Sequence, residues 1–186
     1  MRNIYIDCGG HTGQSIERFV KSKFYKKDKY EMYSFEPIEH LSAVYRDRED
    51  INFIGKAVWI KDGFVDFFIS KKKKMSQGSS LIKEKTSGKL DKENPVNIPC
   101  IDLDKWIKEN FSKDDNIILK MDIEGAEYEV LQHMIDNGSI KYLNRLYMEF
   151  HYNRLNGKVT EEQHSNLIKH LDINEDFEFI IDTKEY

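Results

Sequence analysis

The stretch Asn3-Ile4-Tyr5-Ile6-Asp7-Cys8-Gly9-Gly10-His11-Thr12-Gly13-Gln14-Ser15 decides the fold that this sequence favours. Apolar residues lead into an acid, three glycines follow within five positions, and the segment beyond them has helical spacing. This order is typical of a β-strand, a tight glycine turn and the N-terminus of a helix. Because such a junction presents backbone N–H groups and the positive end of a helix dipole, it predicts a site for a nucleotide-derived cofactor.

The register of the glycines separates two classes of cofactor. A dinucleotide fingerprint, G-x-G-x-x-G, requires glycine at position 8, which is Cys8. The other register, D-x-G-x-x-x-G, is met by Asp7, Gly9 and Gly13. It resembles motif I of class I methyltransferases that depend on S-adenosylmethionine. A tight turn that binds no ligand is the remaining interpretation of this stretch.

Length and composition indicate one domain over residues 1–186, with a single core. The net charge of −4 argues against a surface built for nucleic acid. No apolar run approaches the ~20 residues that span a bilayer, and the N-terminus lacks a signal-peptide pattern, so we expect no membrane association. Cys8 and Cys100 lie far apart and form no metal-ligand pair. We therefore expect a reducing, cytoplasmic setting.

Strands alternate with helices along the chain, which predicts an α/β fold with a doubly wound, mostly parallel sheet and helices on both faces. After the first strand, the predicted strands are residues 30–36, 51–60, 64–70, 96–101, 116–122, 143–151 and 177–182. Helices are predicted after the glycine turn, at 38–48, from about 102, at about 127–137 and after a capping box that begins at Thr160.

Two connections stand out from this alternation. The dipeptide Asp62-Gly63 lies between two predicted strands and predicts a β-hairpin. Residues 71–98 are irregular, and so long an irregular segment predicts a lid over the site or a flexible insertion. Its lysine run at 71–74 is either a solvated surface or a means of attracting an anionic acceptor.

Polar residues stand at the carboxyl ends of four predicted strands, namely Asp7, Glu36, Asp122 and His151. In a parallel sheet these ends meet at one edge, where ligands bind. Glu36 lies about twenty residues beyond the last glycine, which is the position of an acid that accepts hydrogen bonds from a ribose diol. Pro37 then ends the strand.

Seven short blocks of the sequence, which follow one another in the family's order, resemble the FkbM-type family of S-adenosylmethionine-dependent methyltransferases. The sharpest is Lys120-Met121-Asp122-Ile123-Glu124-Gly125-Ala126-Glu127 after an apolar strand. The others are Ile6-Asp7-Cys8-Gly9-Gly10, Ser34-Phe35-Glu36-Pro37, Lys56-Ala57-Val58, Ser79-Ser80-Leu81, Ile101-Asp102-Leu103-Asp104 and Met148-Glu149-Phe150-His151. The resemblance covers residues 3 to about 151.

The resemblance implies an O-methyltransferase that acts on a hydroxyl of a sugar, a glycan or another small metabolite. It implies S-adenosylmethionine as cofactor and S-adenosylhomocysteine as product. The glycine turn would hold the methionine end, Glu36 the ribose, Ala57 and Val58 the adenine, while Asp122 would border the sulfonium and the acceptor. The full implied cofactor set is Asp7, Gly9, Gly10, His11, Thr12, Gly13, Ser15, Glu36, Pro37, Ala57, Val58 and Asp122.

This sequence departs from the family's pattern in two places. Position 11 is His11, where the family often has a small polar residue. The chain ends soon after one further strand, so the antiparallel hairpin at the C-terminal edge of the sheet is shortened or absent. A second copy of the chain could cover that edge, which predicts a homodimer.

Methyl transfer to a hydroxyl needs alignment of the two reactants and a base for the hydroxyl proton. The candidate bases are Asp122, Glu124, Glu149 and His151, and His151 is preferred because an imidazole titrates near neutrality. A histidine satisfied by the backbone is the alternative for that residue. Asp122, Glu124 and His151 could instead bind a divalent metal, which the sequence does not favour because it has no dense ligand motif.

Glu127 and Glu129 are expected on the solvated part of their helix.

Two other functions stay open at this point. One is a nicotinamide-dependent oxidoreductase, which Cys8 disfavours. The other is a non-catalytic binding or regulatory module with the same fold.

Overall fold

A computed structural model of the chain describes residues 1–27, 29–71, 76–173 and 176–181. These residues contain nine strands and four α-helices. The strands are β1 (Asn3–Cys8), β2 (Tyr30–Phe35), β3 (Ile51–Ile54), β4 (Ala57–Trp59), β5 (Gly63–Phe67), β6 (Val96–Asp102), β7 (Asn116–Met121), β8 (Leu143–Met148) and β9 (Glu178–Ile181). The α-helices are α1 (Gln14–Lys21), α2 (Leu103–Asn110), α3 (Glu127–Asn137) and α4 (Glu161–Asp172).

Six strands form one sheet in the order β3-β2-β1-β7-β8-β9, and every neighbouring pair in it is parallel. The two central strands, β1 and β7, lie almost wholly buried, and four of the six residues in each are apolar. This pattern is typical of strands that are covered on both faces. The predicted parallel α/β fold is confirmed.

The two faces of the sheet carry separate cores. Alternate residues of the central strands, such as Ile4 and Leu119, pack with α2 and α3 on one face. The residues between them, such as Tyr5 and Ile118, pack with α1 on the other, where the Tyr5 ring stacks on Phe19. Side chains of successive strand residues point to opposite faces, so one apolar run builds both cores.

The predicted strand at 51–60 is wrong, because the chain turns at Gly55. The Lys56 N–H donates to the Ile54 carbonyl oxygen at 2.8 Å, which closes a turn across this glycine. Residues before the turn form β3 in the large sheet, and residues after it form β4 in a second sheet of three strands.

The hairpin predicted at Asp62-Gly63 is also wrong, although the chain does reverse there. In the second sheet β6 lies between β4 and β5, parallel to the first and antiparallel to the second. The Asp62 carboxylate accepts hydrogen bonds from the Asp102 N–H at 3.2 Å and from Lys105 Nζ at 2.7 Å. These contacts fix the turn beside the C-terminal end of β6.

Further predicted elements differ in length or type. The helix expected at 38–48 is a 3₁₀ helix over Glu39–Tyr45. Leu41 packs with Phe67 while Tyr45 packs with the α1 core, so its buried residues serve two clusters, and Val44 is 41% exposed. Strand β8 ends at Met148, three residues before His151.

The helix ends follow the sequence signals. Thr160 and Gln163 form the predicted capping box at the start of α4. Gly138, with φ of 90°, ends α3. Strand β9 starts one residue later than predicted, and the predicted end at Asp182 lies outside the described residues. Across those residues the C-terminal edge of the large sheet has no antiparallel strand, and no helix is long and apolar enough to cross a bilayer.

Candidate functional site

The glycine turn after β1 is shaped by close backbone contacts. A Cβ on Gly9, whose φ is 88°, would lie 1.9 Å from the carbonyl oxygen of Asp122. A Cβ on Gly10 would lie 2.0 Å from Ser34 Oγ. The glycines therefore let the ends of β1, β2 and β7 approach one another closely.

The N–H groups of this turn are used within the protein. Those of Gly9 and Gly10 both donate to the Phe35 carbonyl oxygen at 3.0 Å. The Gly13 N–H donates to the Gly10 carbonyl oxygen, and the His11 N–H donates to Glu36. The expectation that the turn offers these N–H groups to a ligand is wrong, because their hydrogen bonds are already made.

A cavity lies outside the carboxyl ends of β1, β2 and β7. Seven of the predicted cofactor residues line it: Gly9, His11, Glu36, Pro37, Ala57, Val58 and Asp122. Asp7, Gly10, Thr12, Gly13 and Ser15 do not line it. The other lining residues are Phe35, Ile38, Phe67, Ser76, Gln77, Gly78, Ser79, Leu81, Ile123 and Glu124.

Part of the irregular segment forms one wall of this cavity, through residues 76–79 and 81. Lys72, Lys73 and Lys74 of the lysine run lie outside the described residues. Lys71 pairs with Asp91 at 3.1 Å on the surface.

Glu36 is a buried carboxylate held in a fixed position. Its Oε2 accepts a hydrogen bond from the His11 N–H and its Oε1 accepts one from the Ile38 N–H, both at 2.9 Å. Burial raises the pKa of Glu36 to about 6, although the two hydrogen bonds oppose that shift. The side chain is therefore ionised at neutral pH and has lone pairs left to accept further hydrogen bonds.

Asp7 lies beneath the cavity, fully buried, and contacts a buried lysine. Lys120 Nζ is 3.4 Å from Asp7 Oδ1 and 3.5 Å from Asp122 Oδ2. Burial raises the pKa of Asp7, and the charge of Lys120 opposes the shift. Asp7 thus contacts Lys120, which also contacts Asp122, a residue that lines the cavity.

His151 is buried and surrounded by carboxylates. Its Nδ1 is 2.9 Å from Glu127 Oε1. Its Nε2 faces Glu124 Oε2 at 3.5 Å, Glu149 Oε1 at 3.6 Å and Asp122 Oδ1 at 3.9 Å. The structure thus brings together all four residues that the sequence named as candidate bases.

The acids around His151 also change its protonation. Burial of the imidazole opposes the charged form, but the hydrogen bond to Glu127 and the charges of Glu127, Glu124 and Asp122 outweigh it. The pKa of His151 is therefore raised above its ordinary value.

Glu127 was expected on the solvated part of α3, and this prediction is wrong. The residue is 0% exposed, and its carboxylate accepts hydrogen bonds from the Ile123 N–H at 3.0 Å and the Gly125 N–H at 2.9 Å. It is the first residue of α3, where free N–H groups favour an acid. An acid at the start of a predicted helix was therefore the sequence signal that could have indicated this buried role. Glu129 is partly exposed and pairs with Lys158.

Sequence analysis also missed Lys85, which is 0% exposed. Its Nζ donates to the Gly78 carbonyl oxygen at 2.7 Å and to Glu124 Oε2 at 2.6 Å. Ser80 Oγ adds a hydrogen bond to the Glu124 carbonyl oxygen at 2.7 Å. These hydrogen bonds therefore connect the segment that forms this wall of the cavity to the loop that follows β7.

A family model described as the methyltransferase FkbM domain matches residues 7–183. The chain belongs to the FkbM methyltransferase family. A crystal structure of methyltransferase FkbM from Methylobacillus flagellatus KT is similar at 17% identity, over 75% of this chain and 30% of that one, with a TM-score of 0.44. This FkbM-family chain thus spans less than a third of that protein's length. A comparison with curated proteins gave no match.

In this FkbM-family site, Lys85→Met is expected to lower the free energy of unfolding by about 1–3 kcal/mol, because Glu124 and Gly78 lose a buried charged partner. Lys105→Met is the control, since its ion pair with Asp62 is about half exposed at both ends. The control should cost less than about 1 kcal/mol. Urea unfolding measures both losses, and equal losses would show that the buried contacts of Lys85 add no more stability than an exposed ion pair.

Proposed function

We propose that the chain binds S-adenosylmethionine in this cavity and transfers its methyl group to a hydroxyl of a sugar, a glycan or another small metabolite. The observation that carries the proposal is the anchored carboxylate of Glu36 beside an apolar wall. That wall includes Ala57, Val58 and Phe67 in the same cavity. Membership of the FkbM family supports the reaction class.

Each part of the cofactor has a matching surface. The ribose diol can donate to the free lone pairs of Glu36, whose position the two backbone N–H groups fix. Adenine fits the apolar wall of Ala57 and Val58. Asp122 lies at the end of the central strand and lines the cavity, where its carboxylate would attract the cationic sulfonium.

The glycine turn supports this cofactor over a dinucleotide. A pyrophosphate needs backbone N–H groups that point at its oxygens. In this chain the N–H groups of Gly9, Gly10 and His11 are bonded to Phe35 and Glu36. S-adenosylmethionine has no phosphate, so it requires only the close approach that glycine permits.

The transfer is an in-line displacement. The C–S bond of the sulfonium breaks as a C–O bond to the acceptor forms, so the protein's main task is to align the two atoms. The hydroxyl loses its proton in this step. The favoured recipient is Nε2 of His151 in its neutral form, because Glu127 orients the ring from Nδ1, and Asp122 would orient the acceptor. Since the neighbouring carboxylates raise the pKa of His151, this role should favour a pH above the ordinary pKa of an imidazole.

Calorimetric titration with S-adenosylmethionine, S-adenosylhomocysteine and NAD tests the cofactor. We expect dissociation constants of about micromolar for the first two and no heat with NAD. Glu36→Gln should weaken both sulfur ligands, while Glu39→Gln, an exposed neighbour, should not. Binding of NAD alone would favour the oxidoreductase, and a protein that binds the cofactor but methylates no hydroxyl compound would favour the non-catalytic module.

Cofactor affinity should depend on pH through Glu36. In the free protein the pKa of Glu36 is about 6, and hydrogen bonds from the ribose favour the ionised form. The affinity should therefore be nearly full at pH 7.5 and should fall as the pH drops through about 6, by up to about tenfold per pH unit. Titrations from pH 7.5 to 5 measure this change, and Glu36→Gln should remove the dependence in that window.

A further inference from the structure

We propose that Asp122, Glu149 and His151 bind a divalent metal ion beside the cavity, next to Asp122. The inference rests on the proposed function and deepens it, because it assigns to the same site a group that activates the acceptor hydroxyl. The sequence indicated Asp122, Glu124 and His151 as candidate ligands, and the structure places Glu149 in this set instead of Glu124.

The three side chains already have the spacing of a ligand set. His151 Nε2 lies 3.6 Å from Glu149 Oε1 and 3.9 Å from Asp122 Oδ1. One ligand atom from each residue lies within 4.8 Å of the other two. Ligands at about 2.0–2.2 Å from one ion lie up to about 4.4 Å apart, so small side-chain adjustments would complete the site.

The surroundings of His151 are an independent indication. The imidazole is 1% exposed, and its Nδ1 is hydrogen-bonded to Glu127, which is itself 0% exposed and fixed by two backbone N–H groups. A carboxylate behind one ring nitrogen sets the tautomer that leaves the other nitrogen with its lone pair. Here that second nitrogen, Nε2, points into the group of carboxylates, as a metal ligand does.

A second cluster of similar composition has ligand atoms that form structural contacts. Asp102, Asp104 and His133 also meet the spacing of a ligand set. However, Asp102 caps α2 and both of its oxygens lie 3.1 Å from His133 Nε2. The Asp104 oxygens accept from Lys108 and Ser139. Since these ligand atoms are occupied by structural contacts, the cluster serves as a control.

The ion would act on the acceptor. A site of one imidazole and two carboxylates suits Mn²⁺, Fe²⁺ or Zn²⁺ better than Ca²⁺. Asp122 lines the cavity, whereas Glu149 and His151 do not, so the ion would contact an acceptor hydroxyl from the side of Asp122 and would lower the pKa of that hydroxyl. In the metal-bound protein His151 would be a ligand and no longer the base, so as the C–O bond forms and the C–S bond breaks, the hydroxyl proton would pass to Glu124, which lines the same cavity.

Titration of Mn²⁺ into chelator-treated protein, followed by electron paramagnetic resonance without cofactor, tests the site. We expect one ion per chain, and Asp122→Asn, Glu149→Gln and His151→Ala should each weaken its affinity by about 10- to 100-fold. His133→Ala should leave it unchanged. The first two substitutions are nearly isosteric, so the test stands even if His151→Ala fails to fold.

Parallel titration with S-adenosylhomocysteine separates the two proposals. Binding of the sulfur ligand without Mn²⁺ or Zn²⁺ binding below about 1 mM would overturn the metal site and leave the proposed function intact. Metal affinity that is equal in Glu149→Gln, Asp122→Asn and the wild type would also overturn it. Metal binding with the expected losses, but no binding of the sulfur ligand, would support the ion and contradict the cofactor. Full methyl transfer in excess chelator would overturn the ion and return His151 to the role of base.

Discussion

Gly9→Ala is expected to destabilise the protein by more than about 3 kcal/mol and to abolish cofactor binding. The new Cβ would lie 1.9 Å from the Asp122 carbonyl oxygen, a backbone atom that cannot rotate away. The Asp122 N–H donates to the Cys8 carbonyl oxygen at 3.0 Å, so the segments that follow β1 and β7 are hydrogen-bonded at this point. The ends of β1 and β7 would have to separate, and Asp122 would move with them.

Gly138→Ala is the matched control for this substitution. Gly138 has nearly the same backbone angle, with φ of 90° against 88° for Gly9, but a Cβ there would have no neighbour within 4 Å. It isolates the cost of a left-handed residue, about 1 kcal/mol. Urea unfolding of both variants measures the difference. Similar losses would mean that the close approach of β1 and β7 is not rigid.

Glu127→Ala is expected to lower the free energy of unfolding by about 3–5 kcal/mol. The substitution removes the acceptor for two N–H groups in the turn before α3 and the partner of His151 Nδ1. A buried imidazole would then lose its orientation. Nitrogen NMR of His151 should show a change in tautomer or protonation, which a loss of packing alone would not produce.

Glu129→Ala, two residues further along the same helix, is the control for Glu127→Ala. Glu129 is partly exposed and pairs with Lys158, also partly exposed, at 2.7 Å. Its removal should cost less than about 1 kcal/mol and leave the NMR signals of His151 in place. If the two variants unfold at the same urea concentration, the hydrogen bonds of Glu127 contribute little to stability.

The sequence predicts the large sheet well because its signals are local. Buried parallel strands such as β7 are mostly apolar, with Ile117, Ile118 and Leu119 in a row. The break at Gly55 could not be predicted, because it depends on a second sheet in which β6 lies between β4 and β5. The apolar run on either side of this glycine is equally compatible with one strand.

The candidate site was predicted in part for the same reason. Glu36 and Asp122 follow apolar strands, and the cavity lies where such strands end. Lys85 was missed because its partner Glu124 is 39 positions away, and nothing near a lysine in an irregular segment indicates burial. Glu127 was missed because its burial depends on the turn at Glu124 and Gly125, both with positive φ.

The position of β1 in the sheet has a consequence for the order in which the protein folds. Asn3 pairs with Asn116, so the strand that carries the glycine turn meets its second neighbour only after 113 further residues. Contacts so distant along the chain form slowly. During synthesis β1 and β2 emerge before β7, so one edge of β1 stays unpaired until β7 follows. We expect this nascent half to need a chaperone until β7 leaves the ribosome.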